Sequence, residues 1–449
     1  MARPAPAAGP EARKPNLVYI LADDLGYGDL GCYGQQTLST PHLDRMAAEG
    51  IRFTDHYAGS TVCAPSRCVL LTGLHTGHAR IRSNRPGLLT DADVTLGQVL
   101  RRAGYRTACI GKWGVGNPPP PEDPNRRGFD HFFGYVDMWH AHNFYPPFLV
   151  RNGKRQALRN VPAAKWKNAA KGNGVAAKKV DYAPDLLQKE ALRFVEDNRA
   201  CPFFLYYAMN VPHANNEGGA TGDGMEVPDF GEFAPKPWSA QEKGFAVMLR
   251  NIDRYVAEIL AKLKALGIED NTLVIFTSDN GPHQEGGHKM EFFNSNGGLR
   301  GMKRDLYEGG IRVPMIARWP GRIPARRTSG VVSGFQDMLP TLAEAADAKC
   351  PGGIDGISLL PTLFGRGTQG RHPHLYWEFP HPRAFKQAVR KGRWKAVRIR
   401  PKGKQKGRLE LFDLVADPGE QNDVAAQNSA VAAEMAAIMD REHSAESPP

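Results

Sequence analysis

Cys63 and Arg67 stand four residues apart in Cys63-Ala64-Pro65-Ser66-Arg67, ahead of the apolar run Cys68-Val69-Leu70-Leu71. Proline is tolerated at a first helical position, where its missing N–H costs nothing. The spacing therefore predicts a helix beginning at Pro65, with Cys63 just before its N-terminus and Arg67 about one turn along. Unpaired N–H groups and a partial positive charge attract anions to such an end. A nucleophile-sized side chain and a guanidinium placed there describe an anion-transfer site. The competing reading is a buried structural cysteine beside a surface arginine, because cysteine is among the most buried residue types.

Other chemistry-bearing residues follow short apolar runs. Asp23 and Asp24 come just after Asn16–Leu21 and Ala22, Lys112 after Tyr105–Ile110 (a strand-like run that includes Arg106 and Thr107), His213 after Phe203–Met209, and Asp279 and Asn280 after Leu273–Phe276. Wholly apolar runs of this length suit strands buried on both faces, as in a parallel sheet. Adjacent carboxylates repel, and a hard cation with oxygen ligands removes the conflict; a solvated Asp-Asp turn is the alternative.

Between these runs the pattern is helical. Helices are expected over Pro41–Gly50, Leu96–Gly104, Ala183–Asn198, Glu242–Leu266 and Gln336–Ala346. The longest carries Phe245, Leu249, Ile252, Val256, Ile259, Leu260 and Leu263 at a 3–4 spacing. A further strand is expected near Val313–Arg318. Residues 130–177 read as a long excursion on one side of the sheet, and Asn117–Pro124 as a rigid loop. Alternating strands and helices imply an α/β fold with a large mixed, mostly parallel sheet flanked by helices. Ligands in such sheets bind outside the carboxyl ends of the strands. Those ends gather Asp23, Asp24, Asp279 and Asn280 as a Ca2+ or Mg2+ site, and Lys112 and Arg67, with Lys303 from the 298–310 segment, as an anion clamp. A divalent cation, a cationic pocket and a candidate nucleophile suggest hydrolytic transfer of a phosphoryl or sulfuryl group.

The chain has 449 residues, 41% hydrophobic and 23% charged. That length suggests one large domain plus a smaller one. The expected division is a disordered leader over 1–14, a catalytic domain over 15–364, and a C-terminal α+β subdomain over 365–449. The last has strands at Trp394–Ile399 and Leu409–Leu414 and a helix at Ala425–Arg441. No apolar run approaches the roughly 18–20 residues that span a membrane. Residues 1–14 have no apolar h-region, so the chain as written reads as cytoplasmic, and as periplasmic or secreted if its start is clipped. The six cysteines form no close pair of zinc-site type. Net charge is +11, concentrated in two tracts without an acid: nine basic residues over Arg151–Lys179 and twelve over Arg383–Arg408. A solvated surface is the plain reading of each; together they suit a polyanionic partner. No helix-turn-helix, zinc-finger or RNP pattern supports nucleic acid.

Cys63-Ala64-Pro65-Ser66-Arg67 resembles the C-x-P-S-R signature of the type I, formylglycine-dependent sulfatases of arylsulfatase A-like type. Gly104 through Trp113 is similar to most of that family's second signature. Asp23-Asp24-x-Gly-x-Gly-Asp, Val211-Pro212-His213, Thr277-Ser278-Asp279-Asn280-Gly281 and Tyr307 through Pro314 follow in the family's order. The resemblance runs from about Pro15 to Asp423. It implies an alkaline-phosphatase-like fold and a sulfuric ester hydrolase whose Cys63 is matured to formylglycine by a dedicated enzyme. One hydroxyl of the hydrated aldehyde attacks sulfur, and later C–O cleavage releases sulfate. The resemblance further implies Ca2+, rather than Mg2+, on Asp23, Asp24, Asp279 and Asn280, with residue 63 as a further ligand. Arg67 would hold the formylglycine, and Lys112, His213 and Lys303 would contact the sulfate. Together with the basic tracts, it implies a sulfated carbohydrate or another sulfate ester as substrate.

One position departs from the family. Its usual Lys-Trp-His is Lys112-Trp113-Gly114 here, which removes the histidine that normally helps free sulfate. His75, His78, His140 and His142 are the candidates to replace it. Two other functions stay open on sequence: a phosphonate or phosphate ester hydrolase using the same formylglycine, and a catalytically weakened binding protein.

Overall fold

A computed structural model describes residues 14–85, 87–115, 124–167, 171–219, 222, 224–404 and 407–444. The expected leader, apart from Lys14, and most of the Asn117–Pro124 loop lie outside them, as do residues 220, 221 and 223 of the Gly-rich tract.

A ten-stranded sheet runs in the order Arg327–Ser329, Ile51–Phe53, Met315–Arg318, Thr272–Ser278, Asn16–Ala22, Phe203–Ala208, Arg106–Lys112, His131–Tyr135, Phe148–Arg151 and Lys154–Ala157. The five strands from Thr272–Ser278 through His131–Tyr135 pair in parallel; antiparallel pairings extend the sheet on both sides, and Arg327–Ser329 closes one edge in parallel with Ile51–Phe53. Alternate side chains of a strand point to opposite faces. Leu17, Tyr19 and Leu21 accordingly enter one core cluster, while Val18, Ile20 and Ala22 enter the other. The first cluster packs the Cys63–Thr72 and Met338–Ala345 helices against one face. The second packs Ala183–Asp197 and Ala240–Ala265 against the opposite face. All seven apolar residues that the spacing marked on the longest helix are buried.

Two expectations need correction. Residues 130–177 are not an excursion over one side. Phe132 and Phe133 are buried in a parallel strand, and the hairpin of Phe148–Arg151 and Lys154–Ala157 extends the sheet at its edge. Turn-rich sequence hid these short strands. The Cys63–Thr72 helix begins at Cys63, with Val62 as its extended N-cap. Pro65 thus occupies the third helical position, which also has no intrahelical N–H bond to lose; the first such bond runs from Ser66 N–H to the Val62 carbonyl at 3.3 Å.

Four antiparallel strands, Leu375–His381, Ala384–Lys391, Trp394–Pro401 and Arg408–Asp413, form a second sheet. The first two went unmarked because proline, histidine and lysine break their apolar pattern. One face packs on Tyr57, Val62, Leu306 and Ile311 of the larger sheet's side; the other carries the Ser429–Glu442 helix through Met435, Ile438 and Met439. Among the described residues no helix is long and apolar enough to cross a membrane.

Candidate active site

Register brings the strand ends together. Ala22 pairs with Ser278, so Asp23 and Asp279 leave neighbouring parallel strands at the same level, and Asp279 N–H donates to the Ala22 carbonyl at 3.1 Å. Lys112 ends its own strand two positions from this seam. Gly111 has φ +110°, and a Cβ there would lie 1.8 Å from the Ala208 carbonyl oxygen, so only glycine lets these strands close beside the site. Asp24 adopts φ +67°, a left-handed backbone rarely taken by other residues than glycine. There its N–H donates to Asp279 Oδ1 at 3.1 Å, while Asn280 Nδ2 donates to Asp24 Oδ1 at 2.6 Å.

Around these carboxylates lies a ring of buried cations. Arg67 donates from Nε and Nη2 to Asp279 Oδ2 at 3.0 and 2.8 Å, and from Nη1 to the Lys112 carbonyl at 2.6 Å. Lys112 Nζ reaches Asp23 Oδ2 at 2.7 Å. Lys303 Nζ lies 2.8 Å from Asp24 Oδ2, 3.0 Å from Glu285 Oε2 and 3.0 Å from His213 Nε2. His213 Nδ1 lies 2.6 Å from the Ala214 carbonyl, a bond that requires Nδ1–H and leaves the Nε2 lone pair facing Lys303.

Burial drives the titrations. It pushes the Asp23 carboxyl up, but the Lys112 and Arg67 cations outweigh it and hold Asp23 ionised. Burial, joined by Asp23, pushes Asp279 up to about 7 despite Arg67. Burial and Lys303 lower His213 to about 3, so the ring is neutral. Burial would lower Lys303, yet Asp24 and Glu285 raise it and keep it cationic. Burial also pushes the Cys63 thiol up, against the pull of Lys112.

Cys63, Arg67, Lys112, His213, Lys303, Asp23, Asp24, Asp279 and Asn280 therefore share one buried neighbourhood at the carboxyl ends of the strands. Two oxygens in it, Asp23 Oδ1 and Asn280 Oδ1, have no hydrogen-bond donor; Arg67 Nη2 stands 3.6 Å from the former. Sequence reading missed Glu285, which follows Asn280 by five residues and carried a signal as another acid in a strand-end loop. It also missed Asn84, whose Nδ2 lies 3.6 Å from Cys63 Sγ and whose Oδ1 accepts from Ala64 N–H at 3.1 Å. Asn84 sits in irregular chain and carried no signal.

Gly114 has φ +64°, and a Cβ there would stand 3.3 Å from Arg67 Cδ and 3.4 Å from Lys112 Cε. Of the four candidate replacements for a histidine there, His142 lies at the site, stacked on His213 at 4.7 Å with Nδ1 held 3.2 Å from Glu217 Oε2. His140 pairs with the Phe148 carbonyl, and His75 and His78 lie with Asp355 and Glu442.

A mostly parallel sheet with acids, cations and a helix-borne Cys63 at its carboxyl edge has the alkaline-phosphatase-like fold. The chain belongs to the sulfatase family: residues 15–348 match the Sulfatase family model, and 301–445 match that of the N-sulphoglucosamine sulphohydrolase C-terminal region. It is similar to human arylsulfatase A, 36% identical over 86% of this chain and 75% of that protein. It is also similar to N-acetylgalactosamine-6-O-sulfatase of Bacteroides thetaiotaomicron, 30% identical over 96% of this chain and 94% of the relative. Among solved structures, Ps i-CgsB in complex with k-i-k-neocarrahexaose superposes with a TM-score of 0.76 at 27% identity, covering 97% of this chain and 94% of that one. The chain is a sulfuric ester hydrolase that cleaves sulfate esters.

Proposed function

We propose that this sulfatase acts on a sulfated carbohydrate, with Cys63 converted to formylglycine by a maturation enzyme and Ca2+, in preference to Mg2+, held by Asp23, Asp24, Asp279 and Asn280. The observation that carries the reading is the convergence of three buried carboxylates, an amide and three buried cations on the N-terminus of the Cys63–Thr72 helix. The donor set is all oxygen, as a hard cation prefers. Two donorless oxygens and an Asp279 carboxyl raised to about 7 describe a pocket short of positive charge.

The bound cation would supply neutralisation of charge on the sulfate oxygens. The hydrated aldehyde at residue 63 would supply the attacking hydroxyl. Arg67, fixed by Asp279 and the Lys112 carbonyl, holds the first helical turn against the strand ends. Lys112 projects its ammonium from Asp23 toward an incoming sulfate and stabilises charge that develops there. Lys303 carries the proton for the departing alcohol, and the neutral His213 ring orients that ammonium through its Nε2 lone pair. A thiol whose ionisation is opposed by burial makes a poor nucleophile, which favours Cys63 as precursor over Cys63 as the attacking group.

The test is co-expression with a formylglycine-generating enzyme and mass spectrometry of the peptide across residue 63. A lowered peptide mass accompanied by many turnovers of an aryl sulfate and of a sulfated sugar is expected. Full turnover by protein that retains only the thiol overturns the reading.

A further inference from the structure

The basic tract Arg383–Arg408 is not a uniform charged surface. Lys386, Arg390, Lys391, Arg393, Lys395, Arg398 and Arg408 all meet carboxylates supplied from elsewhere in the chain. Arg383, Arg400, Lys402 and Lys404 meet none among the described residues, and neither does Arg85. Arg85, Arg400, Lys402 and Lys404 are not scattered. With His381 and Phe385 they line one cavity of about 260 Å³, between the turns of the C-terminal sheet and the segment after Ile81. The Arg400 guanidinium lies 5.0 Å over the Phe385 ring, which braces it beside the cavity.

Two segments link the lining of the cavity to the catalytic centre. Arg85 directly follows Asn84, whose amide contacts Cys63 Sγ. The strand that carries Phe385 is in turn tied by Lys386 Nζ to the Arg304 carbonyl at 2.8 Å and to Asp305 Oδ1 at 3.1 Å, immediately after Lys303. Concentrated like charge without counter-charge is costly to assemble, and an anionic ligand offsets that cost. The volume falls just below the range of about 300–1,000 Å³ usual for small-molecule clefts, so it takes a single charged substituent with part of its sugar.

From this juxtaposition we infer that Arg85, Arg400, Lys402 and Lys404 form a subsite for a second anionic group of the glycan, a further sulfate or a uronate carboxylate, beyond the sulfate that is cleaved. The inference rests on the proposed action on a sulfated carbohydrate. It makes the C-terminal sheet a selector for multiply charged oligosaccharides.

The test is calorimetric binding to protein that retains the Cys63 thiol, so that it does not depend on turnover. The probes are sulfated tetrasaccharides of chondroitin, heparin and carrageenan type, the same uronate-containing probes after carboxyl reduction, and a monosulfated monosaccharide. Wild type is expected to bind at least one tetrasaccharide ten-fold or more tighter than the monosaccharide. The triple variant R85Q/R400Q/K402Q is expected to lose that gain, with a shallower salt dependence and an unchanged melting temperature. Loss of the gain on carboxyl reduction assigns a carboxylate to the subsite; its retention assigns a sulfate. Equal binding of the best tetrasaccharide by wild type and variant, or no preference of wild type for any tetrasaccharide, overturns the inference. Aryl sulfate turnover by matured protein is scored separately, so a failed subsite leaves the sulfatase reading standing.

Discussion

Arg67 sets two N–H groups on one oxygen of Asp279, Oδ2, and thereby leaves Oδ1 to the backbone N–H of Asp24. One guanidinium thus ties the helix that begins at Cys63 to the strand ends that carry the acids. Replacing Arg67 with Lys keeps the charge and loses the fork. Arg67→Lys is expected to lower kcat/KM by about 100-fold, the order of loss that a misplacement near 1 Å causes. Steady-state kinetics on an aryl sulfate, beside an unchanged extent of conversion at residue 63, checks this.

Removing the divalent cation should unbalance Asp23, Asp24 and Asp279. Chelation is expected to abolish turnover and lower the melting temperature, and Ca2+ is expected to restore both. At a Ca2+ concentration 100 times its Kd the gain is about 2.7 kcal/mol. A melting temperature that ignores both chelator and Ca2+ contradicts the proposed metal site.

His142 stacks on His213 and turns Nδ1 to Glu217, an arrangement that leaves Nε2 available as a base. If it does the work of the histidine absent at Gly114, His142→Ala should slow sulfate release by about 100-fold, at the low end for general-base loss. The first turnover should remain fast, so a pre-steady-state burst of the alcohol product is expected. Equal slowing of the first and later turnovers counts against this role.

Lys395 lies between Glu308, in the segment that follows Lys303, and Glu420, with 2.9 Å to each carboxylate. All three side chains are buried. Burial and Glu308 hold Glu420 up at about 7 even with the lysine present. Lys395→Met leaves Glu420 without its cation and Glu308 with Arg312 at 3.2 Å, and should cost about 3–5 kcal/mol, the usual loss on breaking a buried pair. Urea denaturation reads this directly.

Glu190 accepts from His131 at 2.7 Å and from Arg151 at 2.9 Å. Burial pushes its carboxyl up, but these two partners prevail and bring it down to about 2, from an ordinary 4.5. A carboxylate depressed by folding stabilises the native state above the unfolded-state pKa, and that contribution fades as pH falls toward the folded value. Glu190→Gln should therefore be less stable than wild type above pH 4.5, with the gap narrowing between pH 4.5 and 2. Melting temperatures across that window provide the check.

Local chemistry in the chain was enough to reveal the longer helices and four of the five parallel strands. Seven apolar residues on the Ala240–Ala265 helix share one face, and Asn16–Ala22 is apolar throughout because both faces of its strand are covered. A strand ending in Asp23-Asp24 or Asp279-Asn280 announces ligands, because a parallel sheet collects its strand ends at one edge. What those ends do to one another was not legible. The contact of Arg67 with Asp279 spans 212 positions, and that of Lys303 with Asp24 spans 279. No local pattern encodes such distances; sheet register does. The same holds for charge. In the sequence, Arg383–Arg408 is an acid-free run, whereas in three dimensions acids from remote segments neutralise most of it and leave Arg400, Lys402 and Lys404 beside Arg85. Residue type and spacing determined the chemistry available to this protein. Only tertiary structure decided which charges are spent on one another and which remain for a ligand, because pairing depends on distance through space and not along the chain.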